Sequence, residues 1–341
     1  MRGTSRSLAV GLTLILILAI GLSAEAASKV RIATSTWVGY GPMWLAKALG
    51  YYEKEGLDVE LTKMEDNPGR FAALASGTVD ILGIGGGAAV SFWKPELPVK
   101  VVMSPAGSYG GDGIVVAAEF NKLEDLKGKR IGASMFSSMH IAFLELVKRK
   151  GLKPEDFRVV NMKASDMGAA FITGNLDAAI TWEPWLTKAV QERPGAKILI
   201  DSSNPESPPL AGDALVVRAD FVKNRPEDVE KVLRAIFKAT EFSRKNPEQA
   251  NPTMANLMGG WLKDPKVYGE LAAKSVPRDL ADNYYFFTTG LRSGNRVLPS
   301  IFDALGVYTR ILLEQGELKE APPLEQIIDS TFVKKIYKTG L

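Results

Sequence analysis

The sequence has no cysteine and a single histidine, His140. Without Cys there is no disulfide, no thiolate nucleophile and no Cys-ligated zinc or iron–sulfur site. One His excludes a multi-histidine metal site and removes the usual carrier of acid–base chemistry near neutral pH. An excess of charge of one sign is also missing. Against 42 Lys+Arg stand 39 Asp+Glu, and the net charge of +3 argues against a dedicated nucleic-acid binder. What is present is ordinary: hydrophobic residues make up 46% and charged residues 24%, which excludes a disordered, collagen-like or low-complexity chain. At 341 residues the chain is too long for one ordinary core. A prior of about 150 residues per domain sets the expectation of two. The composition leans toward binding rather than catalysis, with no cofactor expected.

Residues 1–26 read as a cleavable export signal. Arg2 and Arg6 supply the basic start, Leu8 to Leu22 is an apolar run of 15 residues, and Ala24-Glu25-Ala26 offers a small-residue cleavage site. The run stops short of the roughly 20 residues needed to span a bilayer. No later run approaches that length, so the mature protein is expected to be soluble. A lipoprotein needs a Cys at its new N-terminus, so a lipid anchor is not expected either. A bacterial periplasm would retain such a protein.

The rest alternates strand and helix signals. Lys29 to Thr34, Leu57 to Leu61, Val79 to Ile84 and Val99 to Met103 read as strands, with helices at Pro42–Leu49 and Arg70–Ala75 between them. A second round has strands at Ile114–Ala118, Lys129–Ala133, Val159–Val160, Leu176–Thr181 and Lys197–Ile200, with a helix from Ser137 or Ser138 to Lys150. A strand at Ala214–Arg218 precedes a mostly helical remainder. This order implies an α/β fold with mainly parallel sheets. Ala72–Asp80 repeats in Ala169–Asp177, an offset of 177 − 80 = 97 residues, which points to two similarly wound lobes. The expected arrangement is lobe 1 from 27–115 and 216–341, lobe 2 from 116–215, and a two-strand hinge with a ligand cleft between them.

In open α/β sheets, ligands sit beyond the carboxyl ends of strands, near helix starts. Four loops qualify. One carries Thr36, Trp37 and Tyr40. Another is Gly85-Gly86-Gly87, whose N–H groups are expected to face a ligand. A third carries Phe136, Ser137 and Ser138, and the last holds Trp182 and Glu183. Free N–H groups and hydroxyls at helix starts bind anions without Lys or Arg. Trp37, Tyr40, Phe136 and Trp182 would wall the organic part. Glu183 is open to a ligand amine or to a bond from the protein. Tyr109 and Asp112 lie at the first inferred crossing, as hinge or cleft wall. Asp213 lies at the second and is a candidate ligand contact. Ser137 and Ser138 also suit plain helix caps, His140 a structural role, and Trp185, Trp44 and Trp93 core packing. The glycine run has no Gly-Lys-Ser/Thr and no G-x-G-x-x-G spacing, so it is not a nucleotide loop. No placed triad or carboxylate pair emerges.

Taken together, these residues carry a family resemblance. Trp37-Val-Gly-Tyr-Gly-Pro42, Gly50-Tyr-Tyr52, Glu55-Gly-Leu-Asp-Val-Glu60, Ala72–Asp80, Leu123–Ile131 and Trp182-Glu183-Pro184 resemble the nitrate/sulfonate/taurine-type substrate-binding proteins of ABC importers. Related members take thiamine-precursor pyrimidines or riboflavin. The resemblance runs from about 30 to 245. It implies a two-lobed type II periplasmic-binding fold that closes on a small solute and delivers it to a membrane permease and, indirectly, its ATPase. A monomer is expected, and the small net charge already argues against a nucleic-acid partner. Lys129-Arg-Ile131, Ser137-Ser-Met-His140, Gly151-Leu-Lys-Pro154 and Val159-Val-Asn161 most resemble the taurine-binding branch, in which the hydroxyl-rich helix start contacts an anionic head. Gly85–Gly87 departs from sulfonate binders, which usually have a Ser there, and the aromatic first loop equally suits a flat heteroaromatic. A rival of another class is the pyrimidine-synthase branch of the fold, which is cytosolic and uses a Cys-rich motif impossible here.

Overall fold

Val30 and Ile32 alternate with the more exposed Lys29 and Arg31, and this period-two pattern makes Ser28–Thr34 a strand, β1. The computed structural model describes residues 26–208, 212–293 and 296–341. Apart from Ala26, the export-signal reading lies outside them. From β1 the chain runs through α1 (Gly41–Ala48), α2 (Tyr51–Lys54), β2 (Leu57–Lys63), α3 (Asn67–Ala75), β3 (Ile81–Gly85), α4 (Gly86–Ser91) and β4 (Val99–Met103). A short β5 (Ala106–Ser108) leads to the second round. That round comprises β6 (Asp112–Val116), β7 (Arg130–Ala133), α5 (Ser138–Arg149), β8 (Arg158–Asn161), α6 (Ala164–Ile172), β9 (Ala178–Trp182), α7 (Trp185–Glu192) and β10 (Lys197–Asp201). The chain then forms β11 (Asp213–Arg218), α8 (Ala219–Asn224), α9 (Pro226–Lys245), α10 (Pro247–Met258), α11 (Pro265–Ala272), β12 (Ser275–Pro277), α12 (Leu280–Phe286), α13 (Ile301–Glu314), α14 (Leu324–Ile327) and α15 (Thr331–Thr339).

The strands form two five-stranded sheets, ordered β2-β1-β3-β11-β4 and β10-β6-β9-β7-β8. Each is parallel except for one reversed strand, β11 in the first and β6 in the second. The reversed strands are those that follow the two passages between sheets. Helix α3 starts earlier than its apolar pattern suggests. Asp66 accepts the Gly69 N–H and Pro68 sits in the first turn, so Asn67-Pro68-Gly69 is helix rather than a free turn.

The internal repeat has a structural counterpart. Asp80 takes the backbone N–H and both side-chain arms of Arg31 at 2.9, 3.0 and 2.8 Å. Asp177 takes the same three donors from Arg130 at 2.8, 3.2 and 3.0 Å. Each pair ties a strand, β1 or β7, to the start of the parallel strand beside it, β3 or β9.

One apolar core packs behind the first sheet, against α1, α9, α10 and α15. A small core lies under the second sheet with α6 and α7. The largest cluster runs between the sheets without a break. It joins Leu82 and Ile84 to Ile131 and Ile180 through Phe143 and the buried face of α13, including Leu305 and Leu312. The polar edge of α13 holds α5 by Lys148–Glu314 at 2.7 Å and Arg310–Glu145 at 3.4 Å.

Candidate functional site

Where the carboxyl ends of strands from both sheets meet, the chain lines a cavity of about 60 Å³. After β1, Trp37 and Tyr40 bracket a 3-10 turn at Val38–Tyr40 and are buried. Trp37 Nε1 donates to Asp213 Oδ2 at 2.8 Å, and the Tyr40 hydroxyl donates to Asp213 Oδ1 at 3.1 Å. All three line the cavity. Burial raises the Tyr40 phenol well above its usual range, and the charge of Asp213 adds to this, so its hydroxyl stays a donor.

Asp112 and Asp213 stand at the first positions of the reversed strands β6 and β11, both on the cavity wall. Burial pushes each up to about 7. Ser108 pulls Asp112 back down and the charge of Glu183 raises it. For Asp213, the Trp37 bond lowers, the Asp112 charge raises, and Tyr40 and Arg278 lower. Among the described residues neither carboxylate has a Lys or Arg within ion-pair distance.

The glycine run behaves differently from its sequence expectation. Gly85 lines the cavity, but the Gly86 N–H goes to the Gly212 carbonyl at 2.8 Å and the Gly87 N–H to Ser138 Oγ at 3.0 Å. A Cβ on Gly87 would stand 2.9 Å from Ser138 Cα and 2.8 Å from Ile141 Cδ1. The glycine therefore lets the starts of α4 and α5 touch, joining the two sheets' helices directly. Ser137 and Ser138 both line the cavity. Ser137 is also the N-cap of α5, accepting from the His140 N–H at 3.2 Å. Ser138 Oγ accepts from Gly87, which leaves its proton to donate.

Four other expected contacts sit off the cavity. Thr36 is spent on Glu65, with its hydroxyl at 2.6 Å, and its carbonyl accepts the Trp182 indole N–H at 3.1 Å. The ring of Trp182 remains on the cavity wall. Phe136 has φ +62°, and its N–H donates to His140 Nδ1 at 3.2 Å. Its ring meets Phe92 edge-on at 6.2 Å and borders a neighbouring groove instead. His140 is pulled down to about 4 by burial, so it stays a neutral structural residue. Glu183 is fully buried and faces the protein. It accepts from the Thr187 N–H and hydroxyl at 3.0 and 2.7 Å and from Lys274 Nζ at 2.6 Å. A ligand amine has no place on it. Tyr109 is 53% exposed outside the cavity, with its N–H on the Lys274 carbonyl at 2.9 Å.

Sequence reasoning missed Ser35, Ser108, Met139, Asn67 and above all Arg70, all on the cavity wall. Arg70 is 3% exposed. It donates to the Gly83 carbonyl at 2.8 Å and to Asn67 Oδ1 at 2.5 Å, while its buried Nε has no partner. Burial pulls its pKa down, and Tyr40, Glu65 and Asp213 act against that. A signal was present: Asn67, Arg70, Phe71 and Leu74 follow the i, i+3, i+4, i+7 spacing of a buried helix face. Two polar residues on such a face mark a site rather than core. Among the described residues no His/Asp/Glu group could hold a metal ion.

This architecture is the periplasmic-binding-protein fold. The alkanesulfonate-binding protein SsuA from Xanthomonas axonopodis pv. citri, solved bound to MOPS, superposes with a TM-score of 0.72 at 18% identity, covering 89% of this chain and 99% of that one. Residues 37–250 match the NMT1/THI5 like family, and the chain belongs to it. Its relatives include the taurine-binding periplasmic protein of Escherichia coli (strain K12), 28% identical over 330 residues, 94% of this chain and 98% of that protein. Another is the 4-amino-5-hydroxymethyl-2-methylpyrimidine phosphate synthase of Aspergillus parasiticus, 29% identical over 231 residues, 62% of this chain and 65% of that protein.

Proposed function

We propose that the protein is the exported, periplasmic solute-binding component of an ABC importer, and that it holds a small oxyanion of the sulfonate class. The carrying observation is Arg70, a buried cation with an unpartnered Nε on the cavity wall. An unpaired buried donor costs about 1–3 kcal/mol, and an oxyanion would recover it. Ser137, Ser138 and the N-terminal end of the twelve-residue α5 add hydroxyls and a favourable dipole at the same wall. The near full-length likeness to a taurine-binding protein supports this class. We divide the molecule into two lobes carried by the two sheets, with the passages before β6 and β11 as hinge. Closure on ligand would present the lobes to a permease.

The test is calorimetry on the chain from residue 27, with nitrate, alkanesulfonates, taurine, a methylpyrimidine and riboflavin. A sulfonate should bind, and Arg70→Met should weaken it by about tenfold or more, as loss of a charged hydrogen bond implies. Unchanged sulfonate affinity in a folded Arg70→Met variant would refute the assignment. A second reading, a flat heteroaromatic ligand, is favoured by the rings of Trp37, Tyr40 and Trp182 on one cavity. It wins if the pyrimidine or riboflavin binds and no oxyanion does. Chemical conversion of any hit would favour the enzyme branch of the family.

A further inference from the structure

Arg278 is 1% exposed and carries its charge into the joint between the two sheets. It follows β12, which pairs with β5, and its backbone N–H donates to the Pro105 carbonyl at 3.0 Å. Burial pulls the guanidinium down to about 10, and Asp213, Asp282 and Tyr308 act against that, so it keeps its charge at neutral pH. Its Cζ lies 4.0 Å from the centre of the Phe286 ring, and Nη1 donates to the Ser104 hydroxyl. Ser104 Oγ in turn donates to the Asp213 carbonyl at 2.6 Å. Asn283 fixes the same serine by its backbone, accepting the Ser104 N–H at 2.8 Å and donating to the Ser104 carbonyl at 3.1 Å.

Two glycines separate this cation from the cavity. Gly107 of the first passage between the sheets and Gly212 of the second both line it. A Cβ on Gly107 would stand 3.0 Å from Arg278 Nη2, and one on Gly212 would stand 3.2 Å from Nη1 and 3.1 Å from Gly107 Cα. The passages therefore touch backbone to backbone, with the guanidinium packed behind both. We propose that Arg278 is a positioning residue of the cavity: from behind this glycine wall it clamps the two passages together and, through Ser104, fixes Asp213 where Trp37 and Tyr40 hold its carboxylate. The importance of this for ligand binding rests on the cavity reading above; the placement itself does not. The groups facing Asp213 are Trp37 and Tyr40 from the loop after β1, Arg70 from α3, Asp112 from β6, and Arg278. Asp112, itself faced by Glu183, opposes ionisation of Asp213, and Arg278 favours it.

The Trp37 indole N–H sits on Asp213 Oδ2, so its magnetic resonance signal reports on that carboxylate in the ligand-free protein; loss of the signal in Trp37→Phe identifies it. In wild type it should titrate with a midpoint of about 7. Arg278→Gln keeps a donor for Ser104 but loses the charge, and should raise the proton affinity of Asp213 about threefold or more. Arg278→Lys restores the charge and should bring the midpoint back. Ser104→Ala keeps the cation but cuts its link to Asp213, and the signal should move toward that of an indole without an acceptor. A folded Arg278→Gln variant with the wild-type midpoint, or a Ser104→Ala variant with the wild-type signal, overturns the proposal. If Arg278→Gln does not fold, Ser104→Ala decides. Ethanesulfonate calorimetry at about pH 5, where Asp213 is protonated in either form, tests the link to binding: Arg278→Gln should weaken it about threefold or more. Unchanged affinity overturns that link. Wild type that binds no ethanesulfonate counts against the oxyanion reading alone, because the indole titration needs no ligand.

Discussion

Lys274 Nζ lies 2.6 Å from Glu183 Oε1, tying the loop after α11 to the end of β9 in the other sheet. The carboxylate is fully buried and the Lys side chain is 34% exposed. Such a pair is strongest when both partners remain, because removing one strands a charge. Lys274→Met is therefore expected to cost about 1–3 kcal/mol. Urea denaturation would check this, and a change below about 0.5 kcal/mol would mean that Thr187 alone satisfies Glu183.

Gly87→Ala should act on closure. The added Cβ meets Ser138 backbone at 2.9–3.0 Å, and backbone cannot yield as a flexible side chain can. Ligand affinity should fall about tenfold or more, the equivalent of about 1–3 kcal/mol of overpacking, while each sheet stays folded. Scattering in the presence of ligand should show a more open shape. Wild-type affinity would show that the two helix starts part readily.

The repeated Arg–Asp pairs predict an ordering. The Asp80 side chain is 3% exposed and that of Asp177 is 21%. Arg31→Ala strands the deeper carboxylate and should cost about 2–4 kcal/mol, whereas Arg130→Ala should cost clearly less. Equal losses in chemical denaturation would make burial irrelevant to these pairs.

The ionisations of the apo protein oppose each other. Asp112 and Asp213 rise from 3.8 to about 7, so the stability they lend is complete below pH 3.8 and is lost as pH rises through 7. His140 falls from 6.5 to about 4, so its contribution is present above pH 6.5 and is lost as pH drops toward 4. Asp213→Asn should flatten the fall in stability between pH 5 and 8 by about 1–3 kcal/mol. Denaturation curves at both pH values decide it, and an unaltered slope would show that Asp213 is ionised at pH 5.

The sheets were legible because alternating and continuous apolar runs are strand signals, and the Ala72/Ala169 repeat announced a second winding. The pairing of β5 with β12 was not legible. Two three-residue strands 275 − 106 = 169 residues apart leave no periodic trace. Trp37, Tyr40, Gly85, Ser137, Ser138 and Trp182 line the cavity because the ends of parallel strands and the loops after them converge there, and Asp112 and Asp213 join them because the reversed strands β6 and β11 start at that same edge. Thr36, Glu183 and Phe136 could not be told from cavity residues by position alone. Their side chains turn to Glu65, Lys274 and Phe92, partners far away in sequence. Arg70 was missed because charge on a short helix is usually solvated.

The apolar cluster under α13 bears on how the molecule melts. Two bodies linked only by hinge strands would absorb heat in two steps. Here Leu305 and Leu312 share one core with residues of both sheets, and Lys148–Glu314 and Arg310–Glu145 secure its margin. Losing either sheet exposes that shared surface and destabilises the other. A single calorimetric peak, with matching calorimetric and van't Hoff enthalpies, is the thermodynamic signature of that shared helix.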